Sequence, residues 1–176
     1  MALVFGGWKL QAQDISVVVS DETYADPIVQ QAVDDAMDLL EQACHCRVRR
    51  EKAADVIRHP IVIQLHDPNP ELLDQPTEFA KGRDYPYFHY PRHDFYWKSF
   101  NYRHNSHYQC SAPTPHGLAN GLYALLQEKL DFSFVHPRQT VMPCWAEWPL
   151  PQLITFSGRP IFDKKGFHLH TQHPLE

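Results

Sequence analysis

The sequence predicts an α/β fold, an α+β sandwich in which a mixed β-sheet carries two main helices on one face. Three observations support it: short β-branched runs, two helical stripes that each begin with a capping residue and a proline, and their order along the chain. The order is strand, helix, two strands, hairpin, helix, strand. A doubly wound nucleotide-binding fold would need more alternating units, and the chain has no G-x-G-x-x-G or Walker-type loop.

The first predicted strand covers residues 14–20, and residues 21–26 are predicted to form a turn. The first helix follows, with Asp26 as its N-cap and Pro27 at the favoured first position. It runs to about residue 43, because apolar side chains recur at helical spacing at Val29, Val33, Met37, Leu40 and Cys44.

The middle of the chain alternates between strand patterns and an irregular stretch. Residues 46–51 and 59–66 are predicted strands, and residues 67–91 are predicted to form a long surface loop with one helical turn at 71–74. Residues 95–103 and 106–111 then have the pattern of two strands joined by a tight turn.

The second helix is predicted from its cap Thr114 to about residue 130. Gly117, Gly121 and Ala124 form a stripe of small residues along it. Because glycine costs a helix about 1 kcal/mol relative to alanine, this stripe predicts that another backbone passes close by. Residues 131–136 form the last predicted strand, and residues 137–151 a surface connector.

Composition narrows the possible partners. Lys and Arg total 16 against 21 Asp and Glu, and the net charge of -5 argues against general nucleic-acid binding. No apolar window is long enough to span a bilayer, so we expect no membrane partner. The sequence shows no signal peptide, which leaves the localisation open between the cytoplasm and secretion after removal of a signal.

The four cysteines, Cys44, Cys46, Cys110 and Cys144, show neither C-x-x-C pairs nor zinc-ribbon spacing. The sequence therefore predicts free, buried thiols with no disulfide framework. No cofactor is expected either.

One stretch resembles a known family. Residues 111–137 contain Gly117, Gly121, Tyr123 and Pro137 at positions that match a helix and strand of the non-catalytic N-terminal domain of beta-hexosaminidases and alpha-glucuronidases. Asp131 stands where such domains often have glycine. Residues 159–170 resemble the linker into the catalytic barrel of this family, with Lys165 where arginine is usual.

The resemblance implies an accessory domain over residues 1–151, followed by a linker and the start of a missing (β/α)8 barrel over 152–176. The parent protein would be a glycoside hydrolase, whose paired carboxylates lie in the barrel. No catalytic residue maps onto this chain, so the chain alone is expected to be inactive. Its expected partners are that barrel, a glycan and a second copy of itself, through exposed apolar residues that include Trp145, Trp148 and Phe167.

A second hypothesis is a carbohydrate-binding module. The segment 85–102 carries nine aromatic residues, and aromatic rings provide stacking surfaces for sugars. Tyr87, Tyr90 and Trp97 are the candidates there. His170 and His173 are further candidates for contact with a substrate.

A third hypothesis is a metal-dependent hydrolase. His168, His170 and His173 form an H-x-H-x-x-H pattern, and side chains two residues apart on a strand point to the same face. Two imidazoles placed in this way can bind one metal ion, although the further ligands of such a site are not evident in the sequence.

Overall fold

A computed structural model describes residues 14–52, 60–73, 93–102, 105–136, 139–151 and 153–158. The helices in these ranges are α1 Asp21–Tyr24, α2 Pro27–Cys44 and α3 Pro115–Ala124, and α3 continues as a π-helical turn at Leu125–Lys129. A short 3-10 helix covers Pro70–Leu73. The strands are β1 Ile15–Val18, β2 Val48–Glu51, β3 Ile61–Leu65, β4 Phe95–Tyr102, β5 Asn105–Ser111, β6 Ser133–His136, β7 Gln139–Val141 and β8 Thr155–Gly158.

Six strands form one mixed sheet in the order β2-β1-β3-β5-β4-β8. The first four strands of this order are parallel to one another. Strand β4 is antiparallel to both of its neighbours, β5 and β8. Strands β6 and β7 pair in a separate two-stranded sheet. Both α2 and α3 pack on one face of the main sheet, which confirms the predicted α/β fold.

Both long helices begin as their sequences indicate. The Asp26 side chain accepts a hydrogen bond from the Ile28 backbone N at 2.9 Å, which satisfies one of the free N–H groups at the start of α2. Thr114 Oγ1 does the same for the Gly117 N at 3.1 Å at the start of α3. Helix α2 ends at Cys44, and its C-cap His45 has a φ of 51°, in the left-handed region.

The core lies between the helices and the inward-facing side chains of the sheet. Each central strand contributes alternate residues to it, as the pleat of a strand requires. The largest fully buried side chains include Trp97, Tyr108, Ile15, Ile63, Leu40, Leu118, Leu122, Leu125 and Leu126.

A hydrogen bond joins the two helices above this core. The Tyr123 hydroxyl of α3 donates to Asp35 Oδ2 of α2 at 2.5 Å. Burial and the neighbouring Asp35 carboxylate both raise the pKa of Tyr123 above its ordinary value, so the hydroxyl keeps its proton and the hydrogen bond at neutral pH.

Helix α3 approaches the sheet very closely, as its small residues predict. A Cβ atom at Gly117 would lie 2.4 Å from the carbonyl O of Asp94, and one at Gly121 would lie 2.7 Å from Cys110 Sγ. Trp97 uses this proximity, because its indole Nε1–H donates to the carbonyl O of Gly121 at 2.9 Å. The close backbone approach is therefore confirmed.

Three elements differ from the sequence predictions. Residues 21–24 form α1 where a turn was expected, because Ser20 caps this helix through a hydrogen bond from Thr23 N. The expected connector contains β7, which pairs with β6. Residues 155–158 of the expected linker form β8 and join the main sheet beside β4, where Ser99 Oγ accepts from Ile154 N at 2.6 Å.

The prediction of four free thiols is wrong for two of them, because Cys44 and Cys46 form a disulfide. The left-handed conformation of His45 turns the chain at the end of α2 and leaves the two Cα atoms 5.2 Å apart, within the usual range for a disulfide. Cys110 is a buried free thiol, as predicted, whereas Cys144 is free but exposed, so the prediction of its burial is wrong.

None of the helices in the described ranges has both the length and the apolar character needed to cross a membrane.

We expect Gly121→Ala to lower the free energy of unfolding by about 1–2 kcal/mol, because the added methyl group overpacks the contact with Cys110 and Phe95. Helix propensity alone predicts that the same substitution raises the free energy of unfolding by about 1 kcal/mol. Urea unfolding of both proteins measures the difference.

The control is His116→Ala on the exposed side of the same helix. Its free energy of unfolding should stay within about 0.5 kcal/mol of the parent value. A Gly121→Ala protein more stable than the parent would contradict the close approach.

Candidate functional site

The sheet face opposite α2 and α3, called here the outer face, is the candidate functional site. Strand register aligns its side chains in two rows that cross the sheet. The first row consists of Thr155, Lys98, Gln109, Gln64, Val18 and Glu51. The second row consists of Phe100, His107, Val62, Ser16 and Arg49. Two further residues of β4 lie on the same face: Tyr96 flanks the first row and Tyr102 flanks the second.

Exposed aromatic rings line the β4 side of the outer face. Tyr96, Phe100 and Tyr102 keep 43%, 38% and 46% of their surface exposed. Phe100 stacks on the His107 ring with centroids 5.1 Å apart and planes 8° apart, and Tyr102 meets the same ring edge-on at 6.2 Å. Phe100, His107 and Tyr102 therefore form one cluster of rings that is accessible to a ligand, and Tyr96 lies apart from it, beyond Lys98 on the same face of β4.

Polar side chains adjoin these rings. Gln109 Nε2 donates to Gln64 Oε1 at 2.9 Å, and Lys98 lies exposed opposite Gln109 in the register. Burial lowers the pKa of His107 below its ordinary value of 6.5, so its ring is neutral at neutral pH. Rings combined with amide, amine and imidazole groups suit a ligand that has apolar faces and many hydroxyls.

Two buried polar atoms of the second row lack a hydrogen-bond partner in the described structure. They are Ser16 Oγ and His107 Nε2, which lie on either side of Val62. Both atoms are shielded from solvent by the chain itself, so they are exceptions to the rule that buried polar groups are paired.

A second polar cluster lies at the carboxyl ends of β1 and β3. In open parallel sheets this edge is the usual place for a ligand where the strand order reverses, as it does between these two strands. Here Asp67 accepts hydrogen bonds from Ser20 Oγ at 2.5 Å and Thr23 Oγ1 at 2.6 Å, and these bonds lower the pKa of Asp67. The three side chains satisfy one another, and their evident role is to hold α1 against the sheet.

Of the residues that sequence reasoning selected, Trp97 is placed in the core and away from the outer face. It is 0% exposed, its ring stacks on Phe156 at 6.2 Å, and its N–H is bonded to Gly121. No surface of the ring is left for a sugar to stack on. Its neighbours Tyr96 and Phe100 are the exposed rings, and the alternation of side chains along the strand is the signal that could have found them.

Six further selected residues lie outside the described ranges. They are Tyr87, Tyr90, Phe167, His168, His170 and His173. Within the ranges that the structure describes, no group of three or more His, Cys, Asp or Glu side chains is arranged to hold a metal ion.

Trp145 and Trp148 were expected on an exposed apolar surface, and that expectation is wrong. Both are half-buried and pack against the core. Trp145 meets Phe132 edge-on at 5.5 Å, and Trp148 Nε1–H donates to the Tyr108 hydroxyl at 3.1 Å. That hydroxyl in turn donates to the carbonyl O of Pro151 at 3.1 Å, so the connector folds onto the core.

Gly117, Gly121 and Tyr123, which carry the family resemblance, have structural roles, whereas Pro137 lies outside the described ranges. Gly117 and Gly121 allow the contact between helix and sheet, and Tyr123 joins the two helices. Asp131, which stands where the family often has glycine, has a φ of 59°, a conformation that glycine adopts without strain. Comparison of the sequence with protein-family models and with curated proteins finds no match.

We expect Trp97→Ala to lower the free energy of unfolding by about 3–5 kcal/mol, because it removes a fully buried ring and its hydrogen bond. Tyr96→Ala, on the outer face of the same strand, is the matched control. It should lower the free energy of unfolding by less than about 1 kcal/mol. Chemical denaturation measures both. Equal losses in the two variants would show that Trp97 is not a core residue.

Proposed function

We propose that the chain is a non-catalytic N-terminal accessory domain of a carbohydrate-active glycoside hydrolase, in which it supports the catalytic barrel. The observation that carries the proposal is the left-handed conformation of Asp131. Asp131 is the one position of the residue 111–137 pattern where this chain lacks the glycine that the family often has. Its left-handed backbone is nevertheless the conformation that favours glycine.

The glycines and the tyrosine of the pattern support the same proposal. Gly117 and Gly121 are required by packing, and Tyr123 by the link to α2. A pattern that specifies how a helix packs on a sheet is what a supporting domain needs, because its task is to keep a rigid shape. A catalytic pattern would instead bring together acid, base or nucleophile side chains.

The outer face supplies a surface for the partner of such a domain. Exposed rings at Tyr96, Phe100 and Tyr102 lie on this face beside the exposed Lys98. Exposed aromatic rings are enriched on surfaces that become buried in a complex.

The test compares the 176-residue chain with the protein encoded by its natural reading frame beyond Glu176. We expect the chain alone to leave aryl N-acetylglucosaminides and aryl glucuronides intact, and the longer protein to hydrolyse one of these classes. Release of the fluorescent or coloured aryl group measures both.

A longer protein without glycosidase activity, or a reading frame that ends at Glu176, would contradict the accessory role. Hydrolysis by the 176-residue chain itself would also contradict it.

Glycan binding by the domain itself is a second candidate function. It is favoured by the three exposed rings on one side of β4 and by Lys98 and Gln109 beside them. Sugars present C–H faces to rings and hydroxyls to amides and amines, which is the combination found here.

Calorimetric titration with oligosaccharides of N-acetylglucosamine and of glucuronoxylan tests this candidate. We expect Phe100→Ala to weaken binding about tenfold, because a lost stacking contact of about 1.4 kcal/mol corresponds to that factor. Val135→Ala, an exposed apolar residue on β6, is the control and should leave affinity unchanged. No heat of binding at millimolar glycan would rule out a glycan site on this face. An equal loss of affinity in Phe100→Ala and Val135→Ala would rule it out as well.

A further inference from the structure

We propose that Cys44, Cys46 and Cys144 form a thiol–disulfide exchange site at the C-terminal end of α2. This inference does not depend on the proposed function. Cys44 and Cys46 are joined by a disulfide, and Cys144 is a free and exposed thiol. Free thiols exchange with a nearby disulfide when the thiolate can reach one of its sulfurs.

The connector brings Cys144 to the end of α2. The backbone N–H of Trp145 donates to the carbonyl O of Ala43 at 3.0 Å, so residues 144–145 lie beside residues 43–46. Cys144 Sγ is 4.0 Å from Nε2 of His45, the residue between the two bonded cysteines. Ala43 is buried, and the Trp145 ring packs against Phe132, which holds both segments in place.

The chemistry needs no external oxidant. The His45 imidazole accepts the Cys144 proton, and the thiolate attacks the disulfide. A Cys144–Cys46 bond forms, the Cys44–Cys46 bond breaks, and the electron pair leaves on Cys44 Sγ, which takes up a proton. One sulfur–sulfur bond is exchanged for another, so no sulfur is oxidised or reduced overall.

The Cys44 thiol that this exchange releases has a hydrogen-bond acceptor within reach. Its Sγ lies 2.9 Å from the carbonyl O of Leu40, which provides an acceptor for the thiol once Cys44 is protonated. The product disulfide would tie the end of α2 to the connector. It would close a loop of about a hundred residues, which restricts the unfolded chain far more than the Cys44–Cys46 loop does.

The fourth cysteine is an internal control. Burial raises the pKa of the Cys110 thiol, so it stays protonated and unreactive in the folded chain. Trypsin cleaves after Arg47 and after Arg138, so Cys44 and Cys46 fall in one peptide and Cys144 in another. A disulfide between Cys144 and either of the other two therefore links two peptides.

The experiment incubates the folded 176-residue chain in glutathione redox buffers at neutral pH, then quenches it with acid. Free thiols are alkylated with N-ethylmaleimide at low pH before tryptic digestion and mass spectrometry. We expect a linked peptide pair that joins Cys144 to Cys46, with the maleimide on Cys44. The pair should be missing in Cys144→Ser, which keeps the Cys44–Cys46 disulfide. His45→Ala should slow its formation about tenfold.

Two results would overturn the proposal. One is a Cys144 that remains free in every buffer while Cys44 and Cys46 stay joined. The other is a linked pair that forms between two chains, which a mixture of isotope-labelled and unlabelled protein detects as peptides of mixed label.

Discussion

The close contact of α3 with β4 and β5 is the constraint on which the rest of the structure depends. Glycines at 117 and 121 allow it, and the hydrogen bond from the Trp97 indole to the Gly121 carbonyl fixes it in one register. Because side chains alternate along a strand, placing Trp97 under the helix also places Tyr96 and Phe100 on the outer face. One backbone contact thus determines both the core and the candidate site.

The sequence predicts the long elements well, because their signals are local. Asp26 with Pro27, and Thr114 with Pro115, specify where the two long helices begin, and the small residues of the second helix specify its close packing. Strand β8 could not be predicted in this way. It is four residues long and depends on pairing with β4 and on the hydrogen bonds between Ser99 and Ile154, which a sequence read in isolation does not show.

The candidate site was only partly predictable, for a related reason. The number of aromatic residues in segment 85–102 indicates a ring-rich surface but not which rings face outward, and Trp97, a candidate for sugar contact, lies buried in the core. The disulfide was missed because cysteines two residues apart meet only if the chain turns sharply between them, which His45 does through its left-handed conformation. The outer face and the cysteine cluster belong to different parts of the fold, so each can be tested without disturbing the other.

Hydrogen exchange at the Trp97 indole N–H, followed by nuclear magnetic resonance, tests the central contact most directly. If α3 is held on the sheet as described, this proton exchanges only when the whole domain unfolds. Its exchange free energy then equals the global free energy of unfolding measured with denaturant. Exchange as fast as that of a solvent-exposed indole would show that the helix is not fixed there and would contradict the account of both the core and the outer face.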